Sequence, residues 1–511
     1  MSTEIADFAT RIGREVHSYS RAGLMTGTEW TVISRAFLDH LNTLSTSAPG
    51  LNSPEAKAVL KDAAESAIGA VSFAAYYPRE HFQVFLDYVD FGMEYDPEPG
   101  SSAPPIRAFR WIDAFCLAIL TDSVSRHGEA FVFTWQALTP PNDLATGLLS
   151  HFVDAVDLPS DVDSHPGLQA LHALATNDRP TFDTAVAALL HVTQSPLPLL
   201  PLALSALAYR THRWLPSPDT DRLPHALVTN FEAPARGPVT WPARLDRPAP
   251  PRPLPPTTEV RFEQAIQDAL SPSIAPSDAV AHLDYAFSKQ TALIRSRASL
   301  SPDVTDVQLA GLRRASQIGA ALFRLALAEP GTSVDVVIDG RTLTLPATRD
   351  DSTHPGRWHL ALNYALITGV REDLAPLVLA GPAVSQDDRT AYAAYRVALH
   401  DHLRAVDPAP AIEKALREAA LAERQGFPPM PVALLAQLVD GDETGFNLAL
   451  LDFLEAHRDH YSVADRPTDP EAAISLDALA LACHARRRGR AIRVESPYLP
   501  VRLLLDSDHG R

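Results

Sequence analysis

The chain has 511 residues, 46% of them apolar and 21% charged, which is enough side chain for packed cores and too long for one ordinary domain. Collagen-like structure and wholesale disorder are excluded. Acidic residues outnumber basic ones 62 to 44, a net charge of −18, which argues against wrapping nucleic acid or lying on anionic lipid and suits a basic partner.

The opening MSTEIADF has no basic n-region followed by an apolar stretch, so a secretory signal is not expected and a cytoplasmic location is. Along the first half, Glu65-Ser-Ala-Ile-Gly-Ala-Val-Ser-Phe73 carries apolar residues at helical spacing, and Phe82, Val84, Leu86 and Tyr88 then alternate as a strand does. Arg110-Trp111 opens a stripe continued by Ala114, Ala118 and Thr121. Asp161-Val-Asp163-Ser-His165 begins like a calcium loop, but Pro166 stands where glycine is needed and His172 where glutamate is. A loop entering a helix near Leu168 is expected instead. The apolar run Leu197 to Tyr209 is broken by Pro201 and too short to span a membrane.

From Ala233 to Thr257 nine of 25 residues are proline and four are arginine. Proline fixes φ and removes donors, so this stretch reads as a semi-rigid linker or strap. It separates 1–232, with 27 acidic and 14 basic residues, from 258–511, with 34 and 26. The second half then repeats the first in order. Ala315 to Phe323 answers the Glu65 block, Arg357-Trp358 answers Arg110-Trp111, Asp442 with Phe446 answers Asp178 with Phe182, and Leu476 to Pro500 answers the segment ending Leu223-Pro224. Gly69 and Gly319 cost helix propensity, which a close helix crossing would offset. Val334, Val336 and Ile338 alternate up to Asp339-Gly340, and Leu343 and Leu345 after it, as in a hairpin. The expected fold is mainly α: two tandem helical domains of related fold, each with a small β-hairpin, joined by the Pro-rich linker.

The sequence contains no common catalytic signature: no glycine-rich phosphate loop, no His-Glu-x-x-His, no Cys-x-x-Cys and no Gly-x-Ser-x-Gly. The two cysteines, Cys116 and Cys483, lie far apart in apolar contexts and make neither a disulfide framework nor a zinc site. His457 and His460 have metal-compatible spacing but lack a third ligand, and histidine near a helix C-terminus has a structural reading. Asp401-His402 reads as a helix surface pair, and Arg486-Arg487-Arg488 reads as positive charge placed at a helix end. Trp111 and Trp358 lie on apolar stripes and are expected in the core. Neither a catalytic residue, a cofactor site nor a metal site is therefore expected.

The second half resembles the immunity-protein 49 family of bacterial polymorphic toxin systems, from about Leu312 to Leu505. The residues that carry the resemblance are Ser316-Gln-Ile-Gly-Ala-Ala-Leu-Phe323, Leu345-Pro346-Ala347, Arg357-Trp358, Ala391-Tyr392-Ala393-Ala394-Tyr395, Gly441 to Leu450, Ala478 to Cys483, and the closing Val494-Glu495-Ser496-Pro497-Tyr498-Leu499-Pro500. The first half looks like a diverged second copy. The resemblance implies a mostly helical cytoplasmic protein that binds a cognate toxin and protects the producing cell, without being an enzyme.

A stoichiometric inhibitor needs a rigid scaffold and a complementary surface. Asp440, Asp442, Glu443, Glu495 and Tyr498 are the expected partner contacts. The competing readings are a helical-repeat adaptor with a non-toxin partner, and an enzyme whose active site lies near His457 and His460.

Overall fold

A computed structural model describes residues 2–506 apart from 99, 101–103, 139, 218–219, 234–235, 272–278, 350, 385–386 and 425–426. The described chain is mainly α-helical, with strands only in two-stranded pairs. It divides into two compact units, residues 1–236 with 463–465, and residues 237–462 with 466–511.

In the first unit the order is α1 (Ser2–Ala22), α2 (Gly27–Ser47), α3 (Pro54–Tyr76), β1 (Phe82–Leu86), β2 (Phe91–Tyr95), α4 (Ala108–Leu120), α5 (Val124–Gln136), α6 (Asp143–Ser150), α7 (Pro166–Ala175), α8 (Arg179–Val192), α9 (Leu199–His212) and α10 (His225–Val228). Helix α3 is the spine. Ser53 caps it by accepting from Ala56 N at 3.2 Å, and its small residues pack α2, α4, α5 and β1 around it. Residues Phe82, Val84 and Leu86 point inward as expected, but Tyr88 lies in the turn between β1 and β2, not in a strand. That turn is held by Asp62 of α3, a fully buried carboxylate accepting from Asp87 N at 3.2 Å and Tyr88 N at 2.8 Å. Trp111 is 0% exposed and donates to Phe131 O of α5, which places it in the core. The Asp161–His165 segment forms a short 3-10 turn, and His165 caps α7 by accepting from Gly167 N.

The second unit opens with residues of the proline-rich stretch. Strand β3 (Ala243–Arg244) pairs in parallel with β6 (Val494–Glu495). Ala243 N donates to Arg493 O, and Leu245 N to Glu495 O, both at 2.9 Å. Arg247 donates to Ala298 O and Ala473 O, and Leu254 N donates to Ser296 Oγ. The stretch after Arg236 is thus a strap fastened to this unit by backbone pairing and by an arginine that satisfies carbonyls, not acids.

Helices α11 (Pro256–Ala269), α12 (Ala279–Ala298) and α13 (Asp306–Leu327) follow, then the hairpin β4 (Ser333–Ile338) and β5 (Arg341–Pro346). Next come α14 (Pro355–Thr368), α15 (Arg371–Ala380), α16 (Ala393–Leu403), α17 (Ala409–Arg424), α18 (Val432–Asp440), α19 (Glu443–His460), α20 (Leu476–Arg487) and, after β6, α21 (Val501–Asp506). Helix α13 is the spine here, with a Thr305–Gln308 capping box at its start. Its stripe Leu312, Ala315, Gly319, Leu322 and Ala326 is buried. The hairpin turns at Asp339-Gly340, both at positive φ, as a two-residue loop of this composition requires. Trp358 is fully buried and donates to Leu377 O of α15 at 2.9 Å.

The two spine glycines differ in what they admit. A Cβ on Gly319 would meet Ala361 Cβ of α14 at 2.7 Å, the close helix crossing that its cost in propensity suggests. At Gly69 the nearest neighbours are Val84 of β1 at 3.1 Å and Trp30 of α2 at 3.3 Å, so the hairpin supplies the closest approach. By contrast Gly128, inside α5, has open space around it. Gly319→Ala is expected to destabilise by roughly 1–3 kcal/mol through overpacking, and Gly128→Ala to stabilise by about 0.5–1 kcal/mol through helix propensity. Urea midpoints of the two variants of the full chain check the opposite signs.

Burial raises the Asp62 carboxyl to about 7, with the neighbouring Asp87 charge adding to it. A raised carboxyl binds its proton more tightly folded than unfolded. Its contribution is therefore fully present below about pH 4 and lost as pH rises toward 7. Asp62→Asn, which cannot ionise, should flatten that loss, by on the order of 3 kcal/mol between the two ends. Hydrogen exchange of α3 amides across this range, compared between wild type and variant, measures it.

Candidate functional site

The turn between α18 and α19 is built by two local rules. Helix α18 ends at Asp440 and is followed by Gly441 in the left-handed conformation, φ +82°. Asp442 then caps α19, its carboxylate accepting from Thr444 N at 3.0 Å. Glu443 sits in the first turn of α19, where negative charge meets the positive end of the helix dipole. The turn thus carries three acids in four residues.

The segment following α20 is clasped to this turn. Glu443 accepts from Ala491 N at 3.1 Å and from the Arg493 guanidinium at 2.5 Å. The Ala491 amide, and with it Arg493, holds the Glu443 carboxyl below its usual range. Asn447, one helical turn on and 0% exposed, donates from Nδ2 to both Glu443 O and Ala491 O at 2.9 Å. Its Oδ1 accepts from Arg493 N at 2.6 Å. Every polar atom of the amide side chain is engaged. On the other flank, Arg490 donates to Gln437 O and Leu438 O, capping the carbonyl end of α18.

The structure brings four of the five expected contact residues to this region. Asp440 and Asp442 are exposed on the turn, Glu443 is partly buried in the clasp, and Glu495 is exposed on β6, which packs beside α19. In the β3–β6 register, Glu495 stands beside the exposed Arg244 of the strap. Tyr498 departs from the expectation. It is 1% exposed, its ring packs edge-on against His457 at 5.0 Å, and burial pushes its hydroxyl up to about 12. An aromatic ring in that position is core and presents no surface to a partner.

The remaining candidates are accounted for inside the fold. Burial holds the His457 imidazole down to about 4, with His460 adding to it, so it stays neutral and brings no charge to the helix end. His460 packs on Tyr461 and meets Arg466. Among the described residues no three His, Cys, Asp or Glu side chains gather as a metal site would require. Of the arginine run, Arg487 donates to Leu366 O and Ile367 O at the end of α14, and Arg488 contacts His402. These arginines serve other helices, which spacing along one helix does not reveal. Sequence reading also missed Asp477, whose side chain joins α20 to α14 through His359 at 3.0 Å and Asn363 at 2.6 Å. Burial alone would raise that carboxyl; His359 and Asn363 outweigh it and hold it low.

Among the described residues no helix is long and apolar enough to cross a membrane. Residues 301–503 match the family model for Immunity protein 49. No curated protein and no solved structure matches the chain.

Asn447→Ala would leave the Ala491 carbonyl and the Arg493 amide without their buried partner. A loss of about 2–4 kcal/mol is expected, read as a lower urea midpoint.

Proposed function

We propose that the chain is an immunity protein that neutralises a cognate bacterial toxin by stoichiometric contact, without catalysis of its own. The observation that carries this reading is the Immunity protein 49 match across residues 301–503. The α18–α19 turn and the clasped segment lie inside that range. An inhibitor of this kind needs a surface whose shape and charge are set before the partner arrives, because ordering it on binding would cost affinity. The clasp supplies such a surface, and three acids on one turn suit a cationic partner. Excess negative charge over the whole chain, −18, adds long-range attraction to such a partner.

The fold itself explains two of the three acids. Asp442 caps α19 and Glu443 holds Ala491 and Arg493. Asp440 is the last residue of α18, where negative charge opposes the helix dipole. Its exposure and unfavourable placement make it the acid to alter without harm to folding.

Co-expression with the C-terminal domain of the secreted toxin encoded beside this gene should restore growth and yield a co-purifying complex. Asp440→Ser should leave the urea midpoint unchanged or slightly higher while weakening that complex by about 3–10-fold, on the order of 1 kcal/mol. Failure of the full chain to rescue growth would reject the proposal. Rescue with undiminished affinity in the variant would move the contact away from the turn.

A further inference from the structure

We infer that residues 1–236 are a second copy of the fold matched at residues 301–503, and that the two copies present different surfaces, so one toxin domain occupies one unit. The second part rests on the immunity reading above; the first does not.

The order of elements is the first observation. Helices α1 to α3, the hairpin β1–β2 and helices α4 to α6 run parallel to α11 to α13, β4–β5 and α14 to α16, and α7 to α10 run parallel to α18 to α21. Packing follows the same plan. The spine α3 contacts α2, α4, α5 and β1, and α13 contacts α12, α14, α15 and β4; α4 packs on α9 as α14 does on α20, and α7 on α8 as α18 does on α19.

Backbone conformation supplies an independent marker. Left-handed residues occur at Asp90 and Asp339 in the hairpin turns, Asp122 and Gly369 after α4 and α14, Asn177 and Gly441 before α8 and α19, and Arg213 and Gly489 after α9 and α20. The members of these pairs are 249, 247, 264 and 276 residues apart, within one residue of the 250, 247, 264 and 276 at which the sequence blocks repeat. A non-glycine residue held left-handed costs about 1–2 kcal/mol. Three of the four first-unit positions are Asp or Asn, the residues that enter this region most readily after glycine, so the chain path is kept there without glycine, and Arg213 alone carries the full cost.

Side chains repeat with the backbone. The indole of Trp111 donates to Phe131 O and that of Trp358 to Leu377 O, each reaching the next helix. Ser53 and Thr305 cap the two spines, and Asp178 and Asp442 cap α8 and α19. The residue after each of the latter caps holds the segment beyond α9 or α20. Glu443 accepts from Ala491 N, whereas Arg179 donates to Leu215 O at 3.1 Å. The contact is kept while its polarity is reversed.

Two insertions account for the rise in separation from 247 to 264 and then to 276. Helix α17 has 16 residues and no counterpart between α6 and α7. Two 3-10 turns, Arg466–Thr468 and Pro470–Ala473, lengthen the connection from α19 to α20 relative to that from α8 to α9.

The surfaces have diverged on this shared frame. Where the second unit has Asp440-Gly441-Asp442-Glu443, the first has Thr176-Asn177-Asp178-Arg179, one acid and one base in place of three acids. Inside the units the frame has changed as well: Ile112 and the buried Pro201 stand where the buried His359 meets Asp477. A partner complementary to one turn is not complementary to the other.

Two measurements on the full chain decide the matter. A crystal structure in which 2–236 and 256–506 superpose, with the Trp111 and Trp358 bonds coincident, supports the copy; a different helix order in the first unit overturns it. Native mass spectrometry with the neighbouring gene's toxin domain should give a 1:1 complex, with hydrogen-exchange protection confined to one unit. A 2:1 complex, or protection in both units, overturns the assignment of one toxin to one unit. Absence of any complex would overturn that assignment together with the immunity reading on which it rests, while the copy stands or falls by the superposition.

Discussion

The buried amide of Asn447 is the interaction on which the second unit's candidate surface depends. One side chain on α19 joins the first turn of its own helix to the incoming segment after α20, using both donors and its acceptor. Without it, Ala491–Arg493 would keep the Glu443 contacts, which are partly solvated and weaker for it, and the strap's Ala243 amide on Arg493 O. With it, the segment is set in place before β6, and β6 in turn offers the edge to which the strap attaches. A satisfied buried polar group of this kind specifies one arrangement at little net cost, whereas a half-satisfied one would be worse than an apolar core.

That constraint shapes how the acids are divided. Asp442 and Glu443 are occupied in holding the helix start and the clasp, so their charge is available to a partner only as part of a rigid turn. Asp440 has no such duty. The surface is in this sense made by the fold, and only a small part of it remains open to adjustment without structural consequences. The first unit illustrates the point, since Arg179 holds the corresponding backbone segment with a charge of the opposite sign.

Much of the architecture was legible along the chain. Apolar spacing at Leu312, Ala315 and Leu322 marked the spine, and Asp339-Gly340 marked the hairpin, because helix periodicity and turn conformation are local properties. Other features were not legible. Arg487 and Arg490 cap α14 and α18, helices distant in sequence from α20, and only tertiary structure brings donor and carbonyl together. The proline-rich stretch announces that it will not be helical, but its fastening through a two-residue ladder and Arg247 has no periodicity to read. Tyr498, expected as a partner contact, has its ring in the core beside His457, a burial that its position in the closing motif does not disclose. The cap that Asp442 makes on an amide two positions on is local and open to sequence reading, whereas the clasp of Glu443 depends on Ala491, nearly fifty positions away.

The most direct test of the preset surface is native-state hydrogen exchange at the amides of Ala491 and Arg493 in the full chain without any partner. If the clasp is formed beforehand, both amides exchange on the slow timescale of the α19 core, through opening of that helix. Exchange as fast as that of a solvated loop, with α19 itself protected, would show that the segment is not held and would contradict the account.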